Sequence, residues 1–127
     1  MWTKLLIIED HDDFREMVKS YLKNQALKLT VLEASSAEIG IAIALREQPQ
    51  IVLMDIRLPG MNGIEAAGRV RVHCPKCKVV ILTMFETAAF KDVFKSEDIS
   101  AYLGKSELYD KLVPTLLKFI GKSESAK

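Results

Sequence analysis

The stretch Ile-Val-Leu-Met-Asp-Ile-Arg-Leu-Pro-Gly-Met-Asn-Gly, residues 51–63, decides the fold of this chain. Its first four residues are all apolar, which is typical of a strand covered on both faces. Asp55 follows at once, and the pair Pro59-Gly60 indicates a loop. The Asp55 carboxylate is therefore predicted to lie at the carboxyl end of a buried strand. In an open α/β sheet that edge is where ligands bind.

Four more apolar segments alternate with helical patterns along the chain. The predicted strands are Lys4–Glu9, Leu29–Glu33, Gln50–Asp55, Lys78–Leu82 and Ser100–Leu103. Strict alternation of strands and helices predicts a parallel sheet between two helical layers, and right-handed crossovers leave few topologies. We therefore expect an α/β fold, a doubly wound five-stranded parallel sheet of order 2-1-3-4-5, flavodoxin-like (βα)5.

Three of the predicted helices have a recognisable start. Asp12 or Asp13 can cap the first helix, and Ser35 or Ser36 can cap the second. Asn62 precedes the third helix, which is predicted to run to about residue 73.

Two more helices complete the pattern, one over residues 86–95 and one that ends at Gly121. The apolar residues of the last helix that we expect to face the core are Leu112, Leu116, Leu117 and Ile120. A chain of 127 residues suffices for one domain and is too short for two. We expect one domain over residues 1–121 and a disordered polar tail over 122–127.

Charge and hydropathy exclude several classes of protein. The net charge is +1 and no basic run occurs, which argues against direct binding of nucleic acid. No apolar stretch is long enough to cross a bilayer, and the first residues lack the pattern of a signal peptide. The expectation is a cytoplasmic domain that contacts neither membrane nor nucleic acid.

The cysteines, Cys74 and Cys77, form a Cys-Pro-Lys-Cys motif that has two readings. One is a redox pair or half of a zinc site; the other is a pair of packed thiols at a helix end. A tetrahedral zinc site needs four ligands, and no second pair exists. A redox pair usually opens a helix, whereas this one closes a predicted helix, so packing is favoured.

Acidic residues also end the first strand, as Glu9-Asp10. In the predicted order, strands 1 and 3 are neighbours, so these acids would meet Asp55 in one pocket. Such a cleft suits Mg²⁺, which prefers carboxylate and water oxygens. A carboxylate can also accept a phosphoryl group if a cation and a hydroxyl stabilise the charge. Thr83 and Lys105 end strands 4 and 5 and have those side chains.

Four segments together resemble the receiver domain of two-component response regulators. They are Ile-Ile-Glu-Asp-His (7–11), Asp-Ile-Arg-Leu-Pro-Gly-Met-Asn-Gly (55–63), Ile-Leu-Thr-Met (81–84) and Ala-Tyr-Leu-Gly-Lys (101–105). The similarity covers residues 4–120 and is greatest to receivers that precede helix-turn-helix output domains of the LuxR type.

The resemblance implies a role for each matched residue of the pocket. Asp55 would accept a phosphoryl group from a sensor histidine kinase. Glu9, Asp10 and Asp55 would form the acid pocket for Mg²⁺ (or Mn²⁺), with Asp10 a direct ligand and Glu9 acting largely through water. The backbone carbonyl of Arg57 would be the remaining protein ligand.

The resemblance also implies a switch. Thr83 and Lys105 would bind the phosphoryl oxygens, and Tyr102 would turn inward when Thr83 moves toward the phosphate. The surface of the fourth helix, fifth strand and fifth helix would then contact an output domain or a downstream protein, and a homodimer could form on phosphorylation.

Two alternatives compete with this prediction. One is a degenerate receiver that is regulated by protein contacts without phosphorylation. The presence of all the key side chains argues against it. The other is an aspartyl-phosphate phosphatase of the haloacid dehalogenase type. Such enzymes need a second acid two residues after the nucleophile, where this chain has Arg57. We therefore expect a phosphoacceptor that assists its own phosphorylation and dephosphorylation, and not an enzyme.

Overall fold

A computed structural model of the chain describes residues 2–84 and 96–125. The strands of its sheet, numbered in chain order, are β1 (Thr3–Ile8), β2 (Leu29–Ala34), β3 (Ile51–Asp55), β4 (Lys78–Thr83) and β5 (Ala101–Gly104). They are all parallel and lie in the order β2-β1-β3-β4-β5, so the predicted fold class and strand order are confirmed. Each strand end lies within one residue of its predicted position. The predicted helix over 86–95 falls outside the described residues.

The helices cover both faces of this sheet. They are α1 (Asp12–Lys23), α2 (Ala37–Glu47), α3 (Gly63–His73) and the 108–125 helix (Leu108–Ser125), which a 3₁₀ turn (Lys105–Glu107) precedes. Because side chains alternate along a strand, Leu5 and Ile7 of β1 pack with α1 and the 108–125 helix. Leu6 and Ile8 pack on the other side, with α2 and α3.

The start of α1 differs from the prediction. Ser36 and Asn62 cap α2 and α3 with their side chains, as predicted. In α1, however, the N-cap position is His11, which makes no capping bond, and Asp12 and Asp13 lie in the first turn. The His11 N–H donates to the Glu9 carboxylate (N···Oε2 3.1 Å), which sets the turn one residue earlier. The two aspartates still favour the helix, because they lie at the positive end of its dipole.

The last helix corrects two further predictions. It continues beyond Gly121 to Ser125. Glycine within a helix costs only about 1 kcal/mol, and among the described glycines only Gly60 has a positive φ. Leu117 is 49% exposed, although it was expected to face the core. At 100° per residue it lies about 140° around the helix from the buried Leu112, beyond the apolar stripe.

The loop after β3 is tightly folded against the end of that strand. Residues Arg57–Leu58 and Met61–Asn62 form a short antiparallel ribbon, and Gly60 turns it with a φ of 78°. The Gly63 N–H donates to the Ile56 carbonyl over 2.7 Å. A Cβ on Gly63 would lie 2.7 Å from the Ile56 Cα, so only glycine fits this contact. The loop therefore holds Asp55 in a defined position.

Over the part of the chain that the structure describes, no helix has both the length and the apolar character that crossing a membrane requires.

Candidate functional site

The carboxyl ends of β1 and β3 bring four ionisable side chains together. Ile8 of β1 pairs with Met54 of β3, so the residues that follow, Glu9 and Asp55, leave the sheet side by side. Each member of the cluster has a potential ligand atom within 4.8 Å of those of the others; the members are Glu9, Asp10, His11 and Asp55. The predicted meeting of the two acidic segments is thus present in the structure.

Lys105 enters this cluster from the end of β5. Its Nζ lies 3.1 Å from Glu9 Oε1 and 3.1 Å from Asp55 Oδ2, so one ammonium group joins both acidic strand ends. The same Nζ lies 4.3 Å from the centroid of the Phe14 ring. Burial alone would lower the pKa of Lys105, but its bonds to Asp55 and Glu9 outweigh burial and raise that pKa. Lys105 is therefore positively charged and holds the Glu9 and Asp55 carboxylates together.

The Asp55 carboxylate is nearly enclosed by the protein, with 3% of the residue exposed. Its Oδ1 accepts a hydrogen bond from the Arg57 N–H over 3.0 Å, and its Oδ2 accepts the bond from Lys105. The first bond fixes the orientation of the carboxylate and brings the Arg57 backbone beside it. The Arg57 residue itself is exposed.

Glu9 is the most buried acid of the cluster, with no exposed surface. Burial raises the pKa of Glu9, and the nearby Asp55 charge adds to that rise. Hydrogen bonds from the His11 N–H and from Lys105 oppose it. A buried, partly compensated carboxylate of this kind favours the arrival of a further cation.

Asp10 supplies an independent test of whether a cation fits. Its Oδ1 is buried and has no hydrogen-bond partner among the described residues. The nearest basic group is His11 Nδ1 at 3.4 Å, a contact that lacks hydrogen-bond geometry. A buried carboxylate oxygen without a partner is costly. An oxygen-rich pocket that leaves one such atom over fits a hard divalent cation.

Thr83 and Tyr102 lie on the strands that flank the Lys105 side of the pocket. Thr83 is fully buried at the end of β4, opposite Gly104 of β5. Tyr102 is half-buried two residues earlier in β5 than that glycine, and it packs against the core beneath α2 and α3. Burial raises the pKa of Tyr102. Thr83 is thus at the same sheet edge as the acids, whereas Tyr102 belongs to the neighbouring core.

Two residues of the site were not predicted from the sequence. His11 was not among the predicted site residues, yet its Nδ1 lies 3.2 Å from Glu9 Oε2. Arg15 donates from Nη1 to the Glu9 carbonyl over 2.7 Å and also pairs with Glu33 of β2. The position of His11 directly after the acids was a usable signal. The pairing of Arg15 with Glu33 depends on β2 lying beside β1, which no local pattern reveals.

Comparison with known proteins gives matches to this chain in sequence and in fold. The family model described as "Response regulator receiver domain" matches residues 5–116. Response regulator protein VraR of Staphylococcus aureus is 32% identical over 108 residues, which are 84% of this chain and 51% of that protein. The chain therefore spans about half the length of the curated relatives that it matches.

Solved structures share the fold. A LuxR-family two-component response regulator from Aurantimonas sp. SI85-9A1 superposes with a TM-score of 0.84 and 27% identity, over 96% of this chain and 87% of that one. Response regulator TrrA of Thermotoga maritima, solved in complex with Mg²⁺-BeF, superposes with a TM-score of 0.81 and 24% identity. That match covers 92% of this chain and 98% of TrrA, and it is evidence of the fold alone.

Proposed function

Because this chain belongs to the response regulator receiver domain family, we propose that Asp55 is its phosphoacceptor and that a sensor histidine kinase is the donor. The chain is a receiver domain of a two-component response regulator, similar to receivers of the LuxR type. The observation that carries the proposal is the contact of the enclosed Asp55 Oδ2 with Lys105 Nζ at 3.1 Å, beside the unpartnered Asp10 oxygen.

Mg²⁺ (or Mn²⁺) would be held by this pocket through its oxygen atoms. The proposed ligands are the carboxylates of Asp10 and Asp55 and the Arg57 carbonyl, with Glu9 acting largely through water. When bound, the ion neutralises charge on the phosphoryl oxygens. The unpartnered Asp10 Oδ1 and the fully buried Glu9 support this assignment, because both gain from an added positive charge.

The transfer itself asks little of the chain beyond position and charge. The Arg57 N–H fixes Oδ1 of Asp55, which leaves Oδ2 as the proposed nucleophile. The new bond joins Oδ2 to phosphorus while the bond from phosphorus to the kinase histidine nitrogen breaks. Lys105 then exchanges its bond with Oδ2 for one with a phosphoryl oxygen, so its positive charge stays within the pocket.

The switch proposed here rests on Thr83 and Tyr102. A phosphoryl group adds roughly −1.5 to −2 charge and strong acceptor oxygens, which would attract the Thr83 hydroxyl. Movement of Thr83 would vacate space into which Tyr102 turns. The surface of β5, the 108–125 helix and the helix predicted over 86–95 would then favour an output domain, a downstream protein or a second copy of the chain.

We propose no separate substrate for the pocket. The domain would assist its own phosphorylation and the slow hydrolysis of its acyl phosphate. Catalysis of both steps by the same residues, Lys105 and Thr83, follows from the charge that they stabilise.

Intact-protein mass spectrometry tests the phosphoacceptor directly. Protein incubated with Mg²⁺ and acetyl phosphate should gain one phosphoryl group, and Asp55→Ala should gain none. Asp110→Ala removes an exposed carboxylate of the 108–125 helix and should be modified like the wild type. Modification of Asp55→Ala to the wild-type extent would overturn the assignment.

A further inference from the structure

His11 lies at the rim of the acidic pocket, although the proposed magnesium site does not need it. Its Nδ1 lies 3.2 Å from Glu9 Oε2 and 3.4 Å from Asp10 Oδ1. The opposite face of the ring is open, since 70% of the side chain is exposed. The imidazole thus directs Nδ1 at the carboxylates, where it makes a hydrogen bond with Glu9.

The distances suit shared coordination of one small ion. First-row divalent metals bind nitrogen and oxygen at about 2.0–2.2 Å, so two ligands of one ion stand at most about 4.4 Å apart. Both His11 contacts lie inside that limit. The whole cluster of Glu9, Asp10, His11 and Asp55 spans 4.8 Å, so a shift of roughly half an ångström would close it around an ion.

The two kinds of donor atom discriminate between metals. Mg²⁺ takes oxygen ligands and keeps much of its water, so an imidazole adds little to its binding. Zn²⁺, Co²⁺ and Ni²⁺ bind imidazole well, and their affinities for mixed nitrogen and oxygen sites are higher. A pocket with three carboxylates and one imidazole nitrogen is therefore a different site for these ions than a pocket of carboxylates alone.

We infer that His11 is a metal ligand that gives this pocket selectivity for imidazole-binding divalent metals such as Zn²⁺ and Co²⁺ over Mg²⁺. Nδ1 would bind the ion, and the ring would keep its proton on Nε2. The ion would use the same Asp10 and Asp55 carboxylates as Mg²⁺, so the two metals compete. This inference rests on the proposed function, because it takes the acid pocket to be the metal site of the receiver.

Isothermal titration with Co²⁺ and with Mg²⁺ measures the selectivity. In His11→Ala the preference for Co²⁺ over Mg²⁺, taken as the ratio of the two dissociation constants, should fall by about tenfold or more. The matched control is His73→Ala. It removes the other histidine of the chain, which lies at the C-terminal end of α3, and it should keep the wild-type ratio. An unchanged ratio in His11→Ala would overturn the inference.

Nitrogen NMR identifies the bound atom. On addition of Zn²⁺ to ¹⁵N-labelled protein, the His11 Nδ1 resonance should shift strongly and the His73 nitrogens should not. Zinc binding without that shift would contradict ligation by His11.

Asp10→Asn separates this inference from the proposed function. Loss of Mg²⁺ binding in that variant, with no effect of His11→Ala on selectivity, would reject the histidine ligand alone. Retention of full Mg²⁺ affinity in Asp10→Asn would reject the pocket as the metal site, and the inference with it.

Discussion

At the scale of single residues, the ionised carboxylate of Glu9 lowers the stability of the folded protein as long as no divalent cation is bound beside it. Its carboxylate has no exposed surface, and it accepts bonds from Lys105 and from the His11 N–H. Burial nevertheless dominates and raises its pKa. In the absence of a divalent ion, the ionised form of Glu9 is therefore disfavoured in the folded state relative to the unfolded one.

The raised pKa of Glu9 predicts that replacing its carboxylate by a neutral side chain increases the stability of the protein by an amount that depends on pH. Between the ordinary value of 4.5 and the raised folded value, the folded protein binds more protons than the unfolded one, so this group lowers stability as the pH rises through that window. Without divalent ions, Glu9→Gln should therefore raise the thermal midpoint at pH 7. The advantage should shrink as the pH falls through that window and should be lost below 4.5, where Glu9 is protonated in both states.

Differential scanning calorimetry in a chelator at several pH values checks this. Glu97→Gln, at an exposed position, should leave the midpoint unchanged. A Glu9→Gln variant that is less stable than the wild type at pH 7 would show that its bonds to Lys105 and His11 outweigh burial.

At the scale of elements, a single glycine sets how closely α2 approaches β1. A Cβ on Gly40 would lie 2.7 Å from the Ile8 Cγ1, and nearer still to the Ile8 Cδ1. Ile8 is fully buried and has core atoms around it, so it cannot move away freely. Close packing of α2 in turn positions the end of β1, from which Glu9 and Asp10 emerge.

Two helical glycines make a matched pair for testing that contact. Alanine in a helix gains about 1 kcal/mol over glycine, whereas overpacking a core costs about 1–3 kcal/mol. Gly40→Ala should therefore lower the free energy of unfolding by up to about 2 kcal/mol. Gly68→Ala in α3 should be neutral or stabilising, because among residues 2–84 and 96–125 its Cβ would meet only the Asp98 Oδ2, at 3.4 Å. Urea denaturation measures both.

The pair Gly40→Ala with Ile8→Val separates steric crowding from other causes. If crowding is the cause, the double variant should cost less than the sum of the single ones. Additive costs would mean that α2 approaches β1 for a different reason.

At the scale of the whole molecule, the two cysteines report on the integrity of the core between the sheet and α2 and α3. Cys74 and Cys77 are each 1% exposed and belong to that core. Burial, together with the neighbouring Cys74, raises the pKa of Cys77 to about 12. Both thiols are therefore enclosed by the core, in agreement with the prediction that they pack there, and burial favours the protonated form of Cys77.

Thiol reactivity should follow global opening of the domain. In the native protein both thiols should react with a disulfide reagent roughly 10³-fold or more slowly than in urea-unfolded protein, because reaction needs the core to open. Absorbance of the released thiolate follows the rate. Lys118→Cys places a thiol at an exposed position of the 108–125 helix and should react at once. Rapid native reaction of Cys74 or Cys77 would indicate local opening at the end of α3.

The sequence by itself determined the fold and most of the pocket. Unbroken apolar runs such as residues 51–54 must be covered on both faces of the sheet. Because these runs alternate with helices, only a few strand orders are possible. That order brings Glu9 and Asp55 together, because parallel strands end at the same edge of the sheet. The capping roles of Ser36 and Asn62 could also be predicted from the sequence, because a side-chain oxygen at the start of a helix bonds to a backbone N–H only three residues away.

Only the tertiary structure decided how the pocket is balanced. The contacts of Lys105 with two carboxylates and the ion pair of Arg15 with Glu33 join residues far apart in the chain, and no local pattern encodes those distances. The N-cap position of α1 is His11, and not the predicted Asp12 or Asp13, because the N–H of His11 donates to the buried Glu9 carboxylate. The same turn aims the His11 ring at the acids. Burial and the meeting of distant charges set these features, and both arise only when the sheet is assembled.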